Sequence, residues 1–393
     1  MGRLNSAPQA TFALPLARIA ISGSQVQRTA REIGHERAAQ RDQKVARHRR
    51  RELPVRVDTL PAVVAVEVDG GHLRTRASGQ GPGVHEVRGK ENKVSALVTL
   101  TSTTSPEDPQ PEPAPAFAEP RRVQRLMQQL NGWAGEIPDR PADAGPEVAP
   151  SPACPVEPVA PVPPVRARSG PEPLVRTCVA SMADSRAFGP MMAAEAQERG
   201  FYQAPRKAFV SDGAAYNGTT WRGYFGDFEP ITDFLHAVCY VYGAAWGVGA
   251  TDAERWARYR QWMRACWQGR VGAVLEELEQ CQGRVGAVPA GEELPARDPR
   301  RLVAEALSYL GHNRERMDDP RYRCAGLPIT SSLVESLVGE FNARVKSPQK
   351  FWNRPDGPEP ILQLRAAVLS EDDRLGRFFA QRPGSSGRSR KAA

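Results

Sequence analysis

Three acidic residues lie far apart in the chain but share the chemistry of a metal site. Asp69 and Asp212 each close an apolar run and precede a glycine, in VEVDGG and FVSDGA, and Glu335 sits in the helical pattern that follows residue 331. Two strand-borne aspartates and a helix-borne glutamate can hold two Mg2+ or Mn2+ ions about 4 Å apart, the arrangement that serves both oxygens of an in-line phosphoryl transfer. Oxygen ligands with open coordination positions suit such hard ions. Without metal, three converging carboxylates would repel one another. The separations, 143 residues (69 to 212) and 123 residues (212 to 335), match no short pattern, so spacing alone is a weak signal. Asp233 and His236 form a second pair, spaced i, i+3 on one side of a first helical turn. A histidine satisfied within the core and one serving the site fit that spacing equally well.

The elements that must position these groups are legible from patterning. Residues 60–76, LPAVVAVEVDGGHLRTR, carry a β-branched run that reads as a strand buried on both faces. Gly70 and Gly71 predict a tight reversal, with residues 72–76 as the partner strand and Asp69 at the strand end. Further strands are expected over 93–101, 207–210 and 229–233, and an apolar helix over 234–246. Residues 177–200 read as mostly helical, interrupted at Gly189-Pro190. The stretch 251–326 reads as helical throughout, opening on the capping box Thr251-x-x-Glu254. Four of the seven tryptophans fall between residues 246 and 267, and their helical spacing favours a core over a base-stacking platform. The heptapeptide QGRVGAV occurs twice, at 268–274 and 282–288, a duplication too short for a solenoid. Thr330 or Ser331 is the expected cap of the helix carrying Glu335. Its core stripe is Val334, Leu337, Val338, Phe341 and Val345, flanked by Glu335 and Glu340. Glu340 has Arg344 at i+4, a surface pair; Glu335 has Gly339 there, and its face continues through Asn342 to Lys346, which could meet a phosphate.

The 393 residues suffice for two or three domains, and the formal charge of +8 favours a polyanionic partner such as DNA. An abundance of arginine, alanine, glycine and proline dilutes that signal. Residues 1–52 outline a short helix over 14–21, a turn at Ser22-Gly23-Ser24, and a second helix from Ser24 to about Gln40. This fits a helix-turn-helix, with Arg28, Arg31 and Arg37 toward DNA, or a plain helical pair. The basic run KVARHRRR at 44–51 reads equally as a phosphate contact or a solvated linker. Residues 106–173 hold half of the 36 prolines and form a Pro-rich excursion: a short helix is expected over 120–130, closed at Ile137-Pro138, and 139–173 reads as extended or disordered. A basic, Gly/Ser-rich tail is expected from 381 onward. The six cysteines show no C-x-x-C pairing and suit a reducing cytoplasm. No apolar run reaches the roughly 20 residues of a membrane span, and residues 11–21 are too short and interrupted for a signal peptide.

Several segments together resemble the DDE transposases of bacterial insertion sequences, in the ISKra-type group similar to the Mutator-like transposases. They are VEVDGGHLRTR at 66–76, GPGVHEVRGKENK at 81–93, FVSDGAAYN at 209–217, DFLHAVCYVY at 233–242, LPITSSLVESLVGEFNARVKSPQKFWN at 327–353 and ILQLRAAVLSEDDRL at 361–375. The resemblance implies an α/β, RNase H-like core of mixed sheet flanked by helices, with an all-helical insertion before the last acid. It implies core segments at 53–105, 174–250 and 327–380, separated by the excursion at 106–173 and the insertion at 251–326. It makes Asp69, Asp212 and Glu335 the catalytic and metal-binding acids, with Asp233 and His236 as a supporting D-x-x-H element. The implied activity is metal-dependent cleavage of transposon ends and strand transfer to target DNA by a homo-oligomer assembled on DNA. Residues 1–52 are shorter than the family's DNA-binding portion, and the excursion is longer. The alternatives are therefore a truncated remnant that only binds DNA, or a metal-dependent nuclease without a joining step.

Overall fold

The computed structural model describes residues 22–75, 88–131, 170–346, 352–354 and 356–382, with backbone alone at 88, 129–131, 332–333, 335 and 343–344. The architecture is α/β: a five-stranded mixed sheet flanked by helices. The strands are β1 (Val63–Thr75), β2 (Arg88–Thr101), β3 (Glu172–Ser181), β4 (Arg206–Ser211) and β5 (Glu229–Thr232), in the order β3-β2-β1-β4-β5. β1–β2 and β2–β3 pair antiparallel, while β1–β4 and β4–β5 are parallel.

The helices are α1 (Gly23–Arg49), α2 (Pro120–Asn131), α3 (Ser185–Glu198), α4 (Ala215–Tyr224), α5 (Phe234–Val248), α6 (Asp252–Trp267), α7 (Val271–Val285), α8 (Pro299–Asn313), α9 (Asp319–Cys324), α10 (Ser332–Val345), α11 (Glu359–Leu369) and α12 (Arg374–Gln381). Alternation along β1 divides the core. Val63, Ala65 and Leu73 belong to the cluster shared with α5, α6, α8 and α10, whereas Val64, Val66 and Val68 join the cluster of α3, Phe201 and Phe228. Both faces of β1 are covered, which is why its sequence is apolar without alternation.

The chain does not turn at Asp69-Gly70-Gly71. β1 runs straight through to Thr75 and pairs with β2 over its whole length, Gly70 opposite Lys93 and Gly71 opposite Asn92. The glycines answer a different need: a Cβ on Gly70 would lie 3.0 Å from Glu91 Oε1, and one on Gly71 3.1 Å from Asn92 Oδ1. Residues 177–181 are strand rather than helix, and Pro190 lies inside α3 without ending it.

The N-terminal reading also changes. One helix spans Gly23–Arg49, capped by Ser22 rather than Ser24 through reciprocal bonds with Gln25. The expected first helix at 14–21 lies outside the described residues. The run at 44–51 is largely helical, and Lys44 pairs with Glu195 and Glu198, so it is no linker. The Pro-rich excursion does not begin at 106. Residues 106–131 pack on the core: Phe117 lies against Phe234 and Trp267, Asp108 pairs with Arg323, and Val123 and Met127 are buried. Glu172 and Pro173 already belong to β3. The remainder of the excursion, 132–169, and the tail from 383 lie outside the described residues.

The expected helices at 251–326 are α6 to α9, joined by a non-helical passage between Val285 and Pro299. Trp262 and Trp267 are buried, and Trp256 packs edge-on against Trp246 at 5.0 Å, so these rings build core. Among the described residues the cysteines are free, and no helix is long and apolar enough to cross a membrane.

Candidate active site

The two aspartates meet because β1 and β4 are adjacent and parallel. Val68 is in register with Ser211, so Asp69 and Asp212 follow side by side at the end of this pairing, on strands about 4.8 Å apart. Each is held by local bonds. Asp69 Oδ1 accepts the Gly70 N–H at 2.6 Å. Asp212 Oδ1 accepts the Ala214 N–H at 2.9 Å and the Asn217 amide at 2.8 Å, and Tyr309 donates its hydroxyl to the Asp212 carbonyl. Gly213 takes φ +81°, and a Cβ there would strike Asn313 at 2.7 Å, so the Asp212 turn requires glycine.

Asp233 and His236 complete the cluster. Asp233 is fully buried at the end of β5 and caps α5: its N–H donates to the Ser211 carbonyl, and its Oδ1 accepts the Leu235 N–H. Oδ2 accepts from His236 Nδ1 at 2.8 Å and from the Ser331 hydroxyl at 2.5 Å. Burial pulls the His236 pKa down, but the Asp233 bond and charge, then Asp212 and Asp69, lift it to about 9. Burial opposes ionisation of Asp233, yet its bonds from His236 and Ser331 hold its carboxyl below the ordinary range. Asp69 is pushed up to about 6, chiefly by burial. The Gly70 bond and His236 oppose that shift, while Asp212 and Asp233 add to it. These mutual influences show that the four side chains share one electrostatic neighbourhood.

α10 lies across the same face of β1. The buried Glu67 carboxylate accepts the Val334 N–H at 2.9 Å, and Asn342 comes within 3.5 Å of the Cβ position of Gly71. Glu67, Asp69 and Gly71 alternate onto one strand face. The helix therefore enters at Glu67 and leaves at Gly71, with Asp69 opposite its middle. Glu335 follows Val334 and shares a helical row with Asn342, seven residues on. Its side chain is outside the described residues. Glu340 is exposed, and so is Lys346 at the helix end. The expected stripe is buried at Val334, Leu337, Phe341 and Val345. Ser331 does not cap α10 with its hydroxyl, which is committed to Asp233; Glu67 bonds the first turn instead.

Among the described residues, no three of His, Cys, Asp and Glu converge closely enough to hold a metal ion. The donor set nonetheless fits a hard cation once a third carboxylate is added. Neither Asp69 Oδ2 nor Asp212 Oδ2 accepts a hydrogen bond from a described residue, and burial, with Asp212 and Asp233 adding to it, raises Asp69.

Of the residues assigned to DNA, Arg28 and Arg31 are exposed on α1. Arg37 is not: its guanidinium lies 5.5 Å over the Phe378 ring, inside the fold. Sequence reasoning missed Glu67 and Tyr309, and had Ser331 only as a possible cap of α10 and Asn342 only as part of the Glu335 face. Glu67 alone left a signal, a lone acid in the otherwise apolar VVAVEV. No protein-family model matches the chain, and no curated protein matches it.

Proposed function

We propose that the chain is a DDE-type transposase with an RNase H-like core, which cleaves transposon-end DNA and joins the freed 3′ end to target DNA. The observation that carries this reading is the register of Asp69 and Asp212 on adjacent parallel strands beneath the helix of Glu335. Asp69, Asp212 and Glu335 would hold two Mg2+ or Mn2+ ions, which when bound supply Lewis-acid stabilisation for in-line displacement at phosphorus.

The chain's own groups prepare that reaction. Strand pairing and the Gly70, Ala214 and Asn217 donors fix both aspartates, removing the entropy of aligning them during reaction. His236 keeps its proton at neutral pH and donates Nδ1–H to Asp233, so its positive charge offsets carboxylate repulsion and favours an anionic phosphate. Ser331 ties Asp233 to the start of α10, linking that cation to the helix of the third acid. Neither cleavage nor joining needs a covalent protein intermediate.

The test compares Glu335→Gln with Glu340→Gln on duplexes carrying the terminal repeats that flank the gene, scoring binding, cleavage and joining. Glu335→Gln should abolish cleavage and leave binding nearly intact, while Glu340→Gln should do little. Equal loss in both variants, or cleavage in excess chelator, would remove the proposed site. Cleavage without joining identifies a nuclease, and binding without cleavage in the unmodified chain identifies an inactive remnant.

A further inference from the structure

A cavity of about 820 Å3 lies between α1, α3, α11 and α12 on the β3 side of the sheet. It is separate from the acidic cluster. It is lined by Thr99, which pairs with Val64 near the start of β1, whereas Asp69 pairs with Val94. Those five strand residues correspond to about 17 Å.

The cavity carries eight arginine or lysine side chains against three acids, so positive charge is in excess. All three acids are already committed. Glu195 pairs with Lys44 and Arg374, Glu198 with Lys44 and Arg56, and Asp372 with Arg374 and Arg377. Acids from outside the lining neutralise Arg41, which pairs with Asp42 and Glu359. Arg199 is spent on the Leu97 and Val175 carbonyls and on Thr177 and Thr99.

Three cations remain undercommitted. Arg37 gives Nη1 to Gln40, a neutral partner, and its buried Nε has no hydrogen-bond partner. Arg47 donates to the Glu52 backbone carbonyl at 3.1 Å. Arg377 shares the Asp372 carboxylate with Arg374, donates its other Nη to the Asp372 carbonyl, and is otherwise exposed. Burial lowers the Arg37 pKa; Arg374 and Arg377 add to that shift, and Glu195 and Asp372 oppose it. A guanidinium with an open donor in a cationic cavity is a binding element for a phosphate oxygen.

We propose that this cavity is an anion site for a phosphate group, gripped at the α12 end by Arg37, which lies over Phe378, and by the adjoining Arg377. The inference is independent of the transposase reading, because it uses none of the acidic cluster. Thermal unfolding of the full chain is followed with rising inorganic tripolyphosphate at matched ionic strength. The wild type should show a dose-dependent rise in Tm. The Arg37→Gln/Arg377→Gln double variant should lose more than half of it, and Asp69→Asn should keep all of it. An unmoved wild-type Tm, or a double variant responding like wild type, overturns the site. Should the double variant fail to fold, the single Arg377→Gln variant, at an exposed side chain, takes its place: a reduced response supports the site, and an undiminished one overturns it. Competition then identifies the source of the phosphate. A short DNA duplex that displaces tripolyphosphate marks backbone phosphate, and one that does not marks a free phospho-anion.

Discussion

The Ser331 hydroxyl donates to Asp233 Oδ2 at 2.5 Å, so the residue that starts α5 is bonded to the residue that precedes the helix of Glu335. The neighbouring Phe234 N–H adds a bond to the Ile329 carbonyl at 3.0 Å. Asp233 also receives His236 and reaches back through its N–H to Ser211, the residue before Asp212. One buried carboxylate thus joins β4, α5 and the approach to α10.

Asp233→Ala should therefore be far more costly than an ordinary core change. It removes a cap and takes the buried carboxylate away from the charged His236, a loss of at least about 3 kcal/mol. Ser331→Ala should cost about 1–2 kcal/mol. Urea unfolding of both variants and of the double mutant should show strong coupling. Additive losses would mean that the bond does not join these elements.

The His236–Asp233 pair predicts a pH window. The folded pKa of His236, about 9, exceeds its ordinary 6.5, so its contribution is fully present below pH 6.5 and is lost as pH rises through 9. The loss should amount to about 2–3 kcal/mol at most, given partial solvent access. Urea midpoints at pH 6, 8 and 9.5 should fall in wild type and stay nearly level in His236→Gln.

Asp69 acts in a lower window. Its folded pKa, about 6 against an ordinary 3.8, means that stability falls as pH rises from about 4 to 6. Asp69→Asn should therefore be more stable than wild type at pH 7 by about 1–2 kcal/mol in the absence of divalent metal. The same substitution should abolish end cleavage. A destabilised Asp69→Asn would show that the carboxylate is structural.

Two helix glycines should respond with opposite signs. A Cβ on Gly34 of α1 would lie 2.0 Å from the Pro360 carbonyl oxygen, so Gly34→Ala must part α1 from α11 at a cost of about 2–3 kcal/mol. Gly311 of α8 has nothing within 4 Å of that position, and Gly311→Ala should stabilise by about 0.5–1 kcal/mol. Calorimetry of the two variants decides, and equal signs would contradict the α1–α11 packing.

Periodicity and capping chemistry determined much of the fold by themselves. The Thr251–Glu254 box opens α6, Asp298 caps α8 through the Arg300 N–H, and the α10 stripe is buried at all but the half-buried Val338. These are local preferences, decided within a few residues. Asp69-Gly70 and Asp212-Gly213 show where such signals end. The two pairs look alike in sequence, yet one continues a strand because β2 lies alongside, and the other turns at φ +81° against Asn313. The QGRVGAV repeat makes the same point: Gly269 sits in a turn at φ +69° before α7, whereas Gly283 lies within that helix. The acids at 69 and 212 could be named from the sequence. That they stand side by side, with Asp233 binding the approach to Glu335, was decided by strand register and buried hydrogen bonds between residues nearly a hundred or more positions apart, which no local pattern encodes.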